Sequence, residues 1–307
     1  MEIGFGAPAS GAWAGAVPLA RFAERAEELG YSSLWTFQRL LVGAGQELAP
    51  VYQSVLDPVV ALSFAAARTT RIRLGVAVLN LPFVSPVHLA KQAATLDLLS
   101  GGRLDLGLGV GWSAVEFAAT GASTARRAAR TEEYLRVLRT LWADEVSEFA
   151  GEFYTVPPSR MRPRPVQTPG PPVLLGGGVP AAVARAGRIA DGWLSASGED
   201  LTKIAGQIET ARRAAAEAGK DPSALRFVCR GAVRVGAERP GPDGHRRRLT
   251  GSYEQIRQDA AWLGEQGVTE LFYDLNWDPL IGNPAADPAA AIARAEEIQS
   301  ELAPGRG

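Results

Sequence analysis

Sulfur and imidazole are scarce in this chain of 307 residues, which has one cysteine (Cys229), two methionines and two histidines (His88 and His245). A lone cysteine excludes an intramolecular disulfide, and two histidines exclude a histidine-rich metal centre, so no metal site is expected. The chain has no GxSxG elbow of the serine-hydrolase kind. Lys91, Lys203 and Lys220 fall on helical stretches or their ends, not at strand ends where a Schiff-base barrel would need one. His88 lies in the first turn of a helix and reads as a surface or capping residue. An excess of either charge is also missing: 32 Lys and Arg face 33 Asp and Glu, so a net charge of −1 leaves no footprint for nucleic acid or an anionic membrane. No apolar run reaches the roughly 20 residues of a membrane span, and no charged-then-apolar leader precedes Ile3. The expectation is a cytoplasmic protein whose partners are small molecules, with neither nucleic acid nor membrane.

Apolar residues make up 46% of the chain, enough for a sizeable core, and the length suits one α/β barrel of roughly 250 residues as well as two average domains. No linker argues for two, and 1–307 reads as a single domain. The most informative stretch is 86–112, PVHLAKQAATLDLLSGGRLDLGLGVGW. Pro86 suits a first helical turn, Leu89, Ala93, Leu96 and Leu99 repeat at helical spacing, and Gly101-Gly102 stops the helix. Leu104, Leu106 and Leu108 then make a strand whose end is followed by Gly107, Gly109 and Gly111, where a ligand can approach bare backbone. The same alternation runs along the whole chain. Strands are expected at 2–6, 33–37, 72–79, 104–108, 172–176, 192–195, 226–235 and 270–274, with helices including 17–29, 58–67, 126–142, 179–188, 200–218, 252–266 and 287–301. Eight of each fit a (β/α)8 TIM barrel better than an open sheet. Segment 144–171 breaks the pattern as an excursion before the fifth strand, with a small hairpin expected over 148–154 around Ala150-Gly151. Long loops at 38–54, 113–126 and 276–288 would lie at the carboxyl face and set substrate choice.

Two motifs leave their reading open. Residues 174–180 (LLGGGVP) end a strand and open a helix, which suits either a bound phosphate or merely a tight turn. They form neither a GxGxxG fingerprint nor a Walker loop. Trp13, Trp35, Trp112 and Trp193 fall in or near strand ends, where they would either pack a flat ring system or fill core and loop space. The basic run 245–248 follows a Pro-Gly turn and reads as a solvated loop rather than an anion site. With the usual protein nucleophiles missing, an organic cofactor becomes the expected source of chemistry.

Segments 72–81 (IRLGVAVLNL), 86–112, 163–178 (PRPVQTPGPPVLLGGG) and 185–193 (RAGRIADGW), in this order and spacing, resemble the luciferase-like monooxygenase superfamily and within it the coenzyme F420-dependent oxidoreductases. The resemblance covers nearly the whole chain. It implies a barrel with cofactor at the carboxyl ends of the strands, a non-proline cis peptide at Ala77-Val78 behind the cofactor ring, and Gly109, Val110, Gly111 and Trp112 flanking that ring. Gly176, Gly177, Gly178 and Val179 would hold the cofactor phosphate. Trp13, Gln38, Arg39 and Trp277 are the candidate substrate-pocket residues. Relatives pair as dimers through helices near the second and third strands, which places the expected contact on 55–67 and 89–99.

The chain also departs from this pattern. Where many relatives carry an acidic residue and a histidine after the second strand, this chain has Gln38-Arg39, which excludes a histidine acid/base there and leaves Arg39 either to orient an anion or to sit at a loop surface. Trp112-Ser113-Ala114-Val115 replaces the glutamate that F420-dependent sugar dehydrogenases place after the glycine loop. Glu116 comes slightly later, a weak candidate for proton transfer whose position in relatives looks structural. The leading expectation is hydride transfer between F420 and a small organic substrate. Behind it stand an FMN-dependent two-component monooxygenase served by a separate reductase, a cofactor-binding barrel without turnover, and a plain scaffold.

Overall fold

The computed structural model describes residues 1–236, 238–241 and 244–305. Eight parallel strands close into a barrel, each bonded to its neighbours in sequence: β1 (Glu2–Gly6), β2 (Ser33–Thr36), β3 (Arg73–Asn80), β4 (Leu104–Gly109), β5 (Val173–Gly176), β6 (Gly192–Leu194), β7 (Arg226–Ala232) and β8 (Glu270–Asp274). The helices that return the chain include α1 (Ala16–Glu28), α2 (Pro58–Ala66), α3 (Pro86–Ser100), α4 (Ala114–Thr120), α5 (Arg127–Ala143), α6 (Pro180–Ile189), α7 (Ile204–Glu217), α8 (Tyr253–Glu265) and α9 (Pro288–Glu301). The (β/α)8 TIM barrel expected from the alternation is the fold of this chain.

Local chemistry explains the element ends. Asp57 accepts the N–H groups of Val59 and Val60 at the start of α2, Ser85 accepts that of His88 ahead of Pro86 in α3, and Gly101 ends α3 at φ 69°. Within the expected loop 113–126, Ser113 caps and Gly121 stops the short helix α4. The long seventh strand is split. β7 ends at Ala232, and Arg234–Val235 pairs outside the barrel with Thr250–Gly251.

Two further expectations are corrected. The hairpin pairs Ser147–Ala150 with Thr155–Ser159, so residues 151–154 form its turn instead of strand. The reason is Glu133 on α5, whose carboxylate collects the N–H groups of Glu152, Phe153 and Tyr154. Burial opposes its charge, but these three donors hold its pKa below the usual carboxylate range. The basic run is not a solvated loop either, because Arg246 and Arg248 both close on the fully buried Asp259 of α8. Pro242 and Asp243 of the preceding turn lie outside the described residues.

The barrel interior is layered, as alternate inward positions of parallel strands require. At the amino end, Asp105 binds both Arg73 and Arg226, and Arg226 reaches on to Glu270. A middle layer of Trp35, Ala77, Leu174, Leu194, Val228 and Phe272 forms an apolar cluster separate from the main core between sheet and helices. Trp35 fits only because β3 carries Gly75, where a Cβ would lie 2.3 Å from the indole. At the carboxyl end stand Arg230 and Asp274. Among the described residues no helix is long and apolar enough to cross a membrane.

Candidate functional site at the carboxyl end of the barrel

The register of β3 against β4 shifts between Val76 and Leu79, and within that bulge the Ala77-Val78 peptide is cis, as the resemblance implied. Val78 projects against the ends of two neighbouring strands. A Cβ added at Gly109 would come 2.6 Å from its Cγ2, and one at Gly176 would come 3.1 Å from its Cγ1. Three of the candidate cofactor residues therefore meet, and two of them must be glycine for the valine shelf to sit between them.

Beyond β5, Gly177 has φ 144° and its carbonyl accepts Trp193 Nε1 at 2.8 Å. Val179 then opens α6 without a side-chain cap, ahead of Pro180. This leaves the helix start to an outside acceptor, the arrangement that suits an anion. One feature opposes it. Glu199 Oε2 lies 2.9 Å from where a Cβ on Gly178 would stand, with Oε1 accepting from Gln207 Nε2 at 2.7 Å.

The loop after β2 folds over the same mouth. Gln38 Oε1 accepts from the backbone and side-chain nitrogens of Asn80 at the end of β3. Arg39 Nη1 donates to Glu116 Oε2 at 2.6 Å, with side chains only 4% and 1% exposed. Its guanidinium lies 4.3 Å from the Trp112 ring and 4.8 Å from the Tyr52 ring. The second oxygen of Glu116 accepts Leu40 N–H at 2.7 Å. With both oxygens engaged, Glu116 serves as a tether for Arg39 rather than an open acid, while Arg39 is no loop-surface residue. Tyr52 also packs edge-on against Trp277, so Trp112, Tyr52 and Trp277 make one continuous wall.

The tryptophans divide differently from expectation. Trp13 has no exposed surface, packs against Phe5 and Phe22, and donates Nε1 to Asn276, so it belongs to the core and does not line a pocket. Trp35 donates to Ser33 and Glu270 deep in the barrel, and Trp193 is buried on the helix side of the sheet. Each of these N–H groups finds its partner inside the protein, which is what permits full burial. Trp112 differs, with 55% of its surface exposed at the mouth.

Sequence reasoning missed Arg230 and Asp274. Arg230 is 8% exposed; its Nε donates to Asp274 Oδ2 at 2.7 Å and its Nη1 to the Ala77 carbonyl at 2.9 Å. The Phe37 ring lies 4.6 Å from its guanidinium and the Trp277 ring 6.0 Å away. The available signal was parity: Arg226, Val228 and Arg230 share one face of β7, and a charge at the carboxyl end of an inward row marks the mouth of a barrel.

An apolar shelf between bare glycines, beside an aromatic wall, suits a planar ligand, and the uncapped helix start suits an anionic tail once Glu199 turns aside. The family model for luciferase-like monooxygenases matches residues 5–274. An uncharacterized protein of Mycobacterium tuberculosis is 43% identical over 145 residues, 47% of this chain and 51% of that protein. An F420-dependent glucose-6-phosphate dehydrogenase of Amycolatopsis mediterranei is 31% identical over 224 residues, covering 72% of this chain and 65% of the relative. The chain spans about half the length of the first curated relatives it matches. Among solved structures, the monooxygenase RslO1 from Streptomyces bottropensis superposes with a TM-score of 0.78 at 23% identity over 100% of both chains. An F420-dependent secondary alcohol dehydrogenase gives 0.76 at 18% identity over 98% of both. By the extent of the family match and the shared barrel, this chain belongs to the luciferase-like monooxygenase family.

Proposed function

We propose that the protein is an oxidoreductase that binds coenzyme F420 at the carboxyl end of the barrel and moves a hydride between that cofactor and a small organic substrate. The observation that carries this reading is the Val78 shelf, closed on two sides by Gly109 and Gly176. Relatives named as F420-dependent dehydrogenases support the choice of cofactor.

Ala77, Val78, Gly109, Gly111 and Trp112 would hold the ring, and Gly176, Gly177, Gly178 and Val179 the phosphate. The cofactor, when bound, supplies the hydride chemistry that no protein side chain here can perform. The chain's own part is to bind, orient and exclude water. Gln38 fixes the end of β3, Glu116 holds Arg39 between two aromatic rings, and Arg39 with Trp277 faces the substrate side. Arg39 offers only fixed N–H donors, so its role is to orient an electron-rich substrate group. A homodimer through α2 and α3 is the expected assembly, in keeping with the exposed Val60, Phe64, Val87 and Leu99. Sedimentation tests it.

Equilibrium binding of F420 and of FMN, followed by tryptophan fluorescence and calorimetry, tests the cofactor reading. Micromolar F420 binding with much weaker FMN binding is expected. The reverse preference moves the protein to two-component flavin monooxygenases served by a separate reductase, and binding of neither overturns the enzyme reading. Gly109→Val, which drives a branched side chain into Val78, removes binding if the shelf is the site.

A further inference from the structure

Arg230 stands on β7 and the carbonyl it bonds, Ala77, stands on β3, and these two strands lie opposite one another around the closed barrel. Its side chain therefore crosses the barrel axis. Around it, Asp274 at the end of β8 takes Nε, the Phe37 ring beyond β2 covers a guanidinium face, and its own backbone N–H goes to Ser195 Oγ after β6 at 2.9 Å. One buried residue thus ties together the carboxyl ends of five strands and bonds the carbonyl of the peptide that leads into Val78.

Burying a guanidinium is costly unless its donors are matched, and here the match is incomplete. Nη2 stands 2.7 Å from Asp274 Oδ2 as an ion pair but makes no hydrogen bond of its own. Arg226, two inward positions below, spends both terminal nitrogens on Asp105 and Glu270. Asp274 is itself held by Asn276, through the backbone N–H at 3.1 Å and Nδ2 at 2.8 Å, so the guanidinium is held from a fixed anchor. A brace built for stability alone would resemble Arg226. Arg230 instead spends one terminal nitrogen on the bulge carbonyl of the opposite wall.

We propose that Arg230 is a positioning residue of the cofactor site: by bonding the Ala77 carbonyl from the opposite wall it sets the level and tilt of the Val78 shelf on which the ring is seated. This rests on the cofactor reading above. Binding of F420 and FMN should be measured on the wild type, on Arg230→Lys, and on an Arg230→Met, Asp274→Asn double variant that leaves no unpaired buried charge. Each protein's ligand-free melting temperature and bound-ring absorption spectrum are recorded alongside.

The double variant should bind whichever cofactor the wild type takes about tenfold or more weakly, with a shifted ring spectrum, because small misplacement of a seat costs affinity out of proportion to stability. Arg230→Lys, which keeps a donor near the carbonyl, should recover most of the loss. Asp105→Asn at the far end serves as control, lowering the melting temperature without moving affinity or spectrum. A double variant with wild-type affinity and spectrum overturns the positioning role and leaves the cofactor reading standing. A wild type that binds neither ligand overturns both.

Discussion

The two ends of the barrel hold similar side chains in different accounts. At the amino end Asp105 accepts four bonds, from Arg73 Nε and Nη2 and from Arg226 Nη1 and Nη2, at 2.6 to 3.1 Å. Glu270 takes Ser33 Oγ, Trp35 Nε1 and Arg226 Nη2, so that network is saturated. At the carboxyl end Arg230 keeps a nitrogen unmatched, glycines replace side chains around Val78, and Trp112 is left exposed. Saturation makes the first end a clasp, and the bare backbone of the second suits the receptor role proposed for it. Parallel barrels place ligands at the carboxyl end for the same reason: the loops there are free to vary while the opposite end holds the strands in register.

The strongest test of this contrast is Asp105→Asn. Weakening the carboxylate leaves two partly exposed guanidinia without their shared anion, and about 3 kcal/mol of stability should go, read as a lower urea midpoint at unchanged slope. Ligand affinity should not move. An equal loss of affinity would break the division between clasp and receptor.

A smaller effect is expected from Glu116→Gln, which removes the charge facing Arg39 at the receptor end. About 2 kcal/mol should be lost, and Trp112 fluorescence should change as the stacked guanidinium loosens. An unchanged spectrum would mean that the tether does not set the aromatic wall.

Glu27 sharpens the account of the clasp. Burial works against its charge, but the N–H groups of Ile72, Arg71 and Thr70, just before β3, outweigh it and hold the carboxyl at about 2. A depressed folded-state pKa gives stability that is fully present above the unfolded value near 4.5 and is lost as pH falls toward 2. Glu27→Gln should therefore cost about 1 kcal/mol at pH 7, a figure discounted for solvent screening, and almost nothing near pH 2. Urea titrations at the two pH values check this.

The smallest effect concerns Cys229, whose thiol burial pushes up to about 12. A maleimide at pH 8 should leave the folded protein unlabelled and label it fully in denaturant.

How much of this was legible depended on distance along the chain. Ser85-Pro86 and Gly101 bracketed α3 because caps and stops act through adjacent peptide groups. The Val78 shelf was legible through family resemblance, since nothing in IRLGVAVLNL alone announces a bulge. Helix α4 escaped because seven residues hold barely two turns, too few for periodicity, although Ser113 and Gly121 mark its ends. The basic run was misread because its counter-charge, Asp259, sits on the following helix. Trp13 and Trp193 look like pocket aromatics until their N–H groups are seen to be satisfied within the protein.

The sequence by itself determined the eightfold alternation, the helix starts and stops, the bare backbone at the strand ends and the poverty of nucleophiles, since each is set by a residue and its near neighbours. Only the tertiary structure decided which charges are clasp and which are receptor. Arg226 and Arg230 are the same side chain two inward steps apart on one strand, and what separates them is whether Asp105 and Glu270, or the Ala77 carbonyl and Asp274, arrive across the barrel. Those partners are up to 153 residues away in sequence, beyond the reach of any local pattern, and closure of the barrel alone brings them within 3 Å.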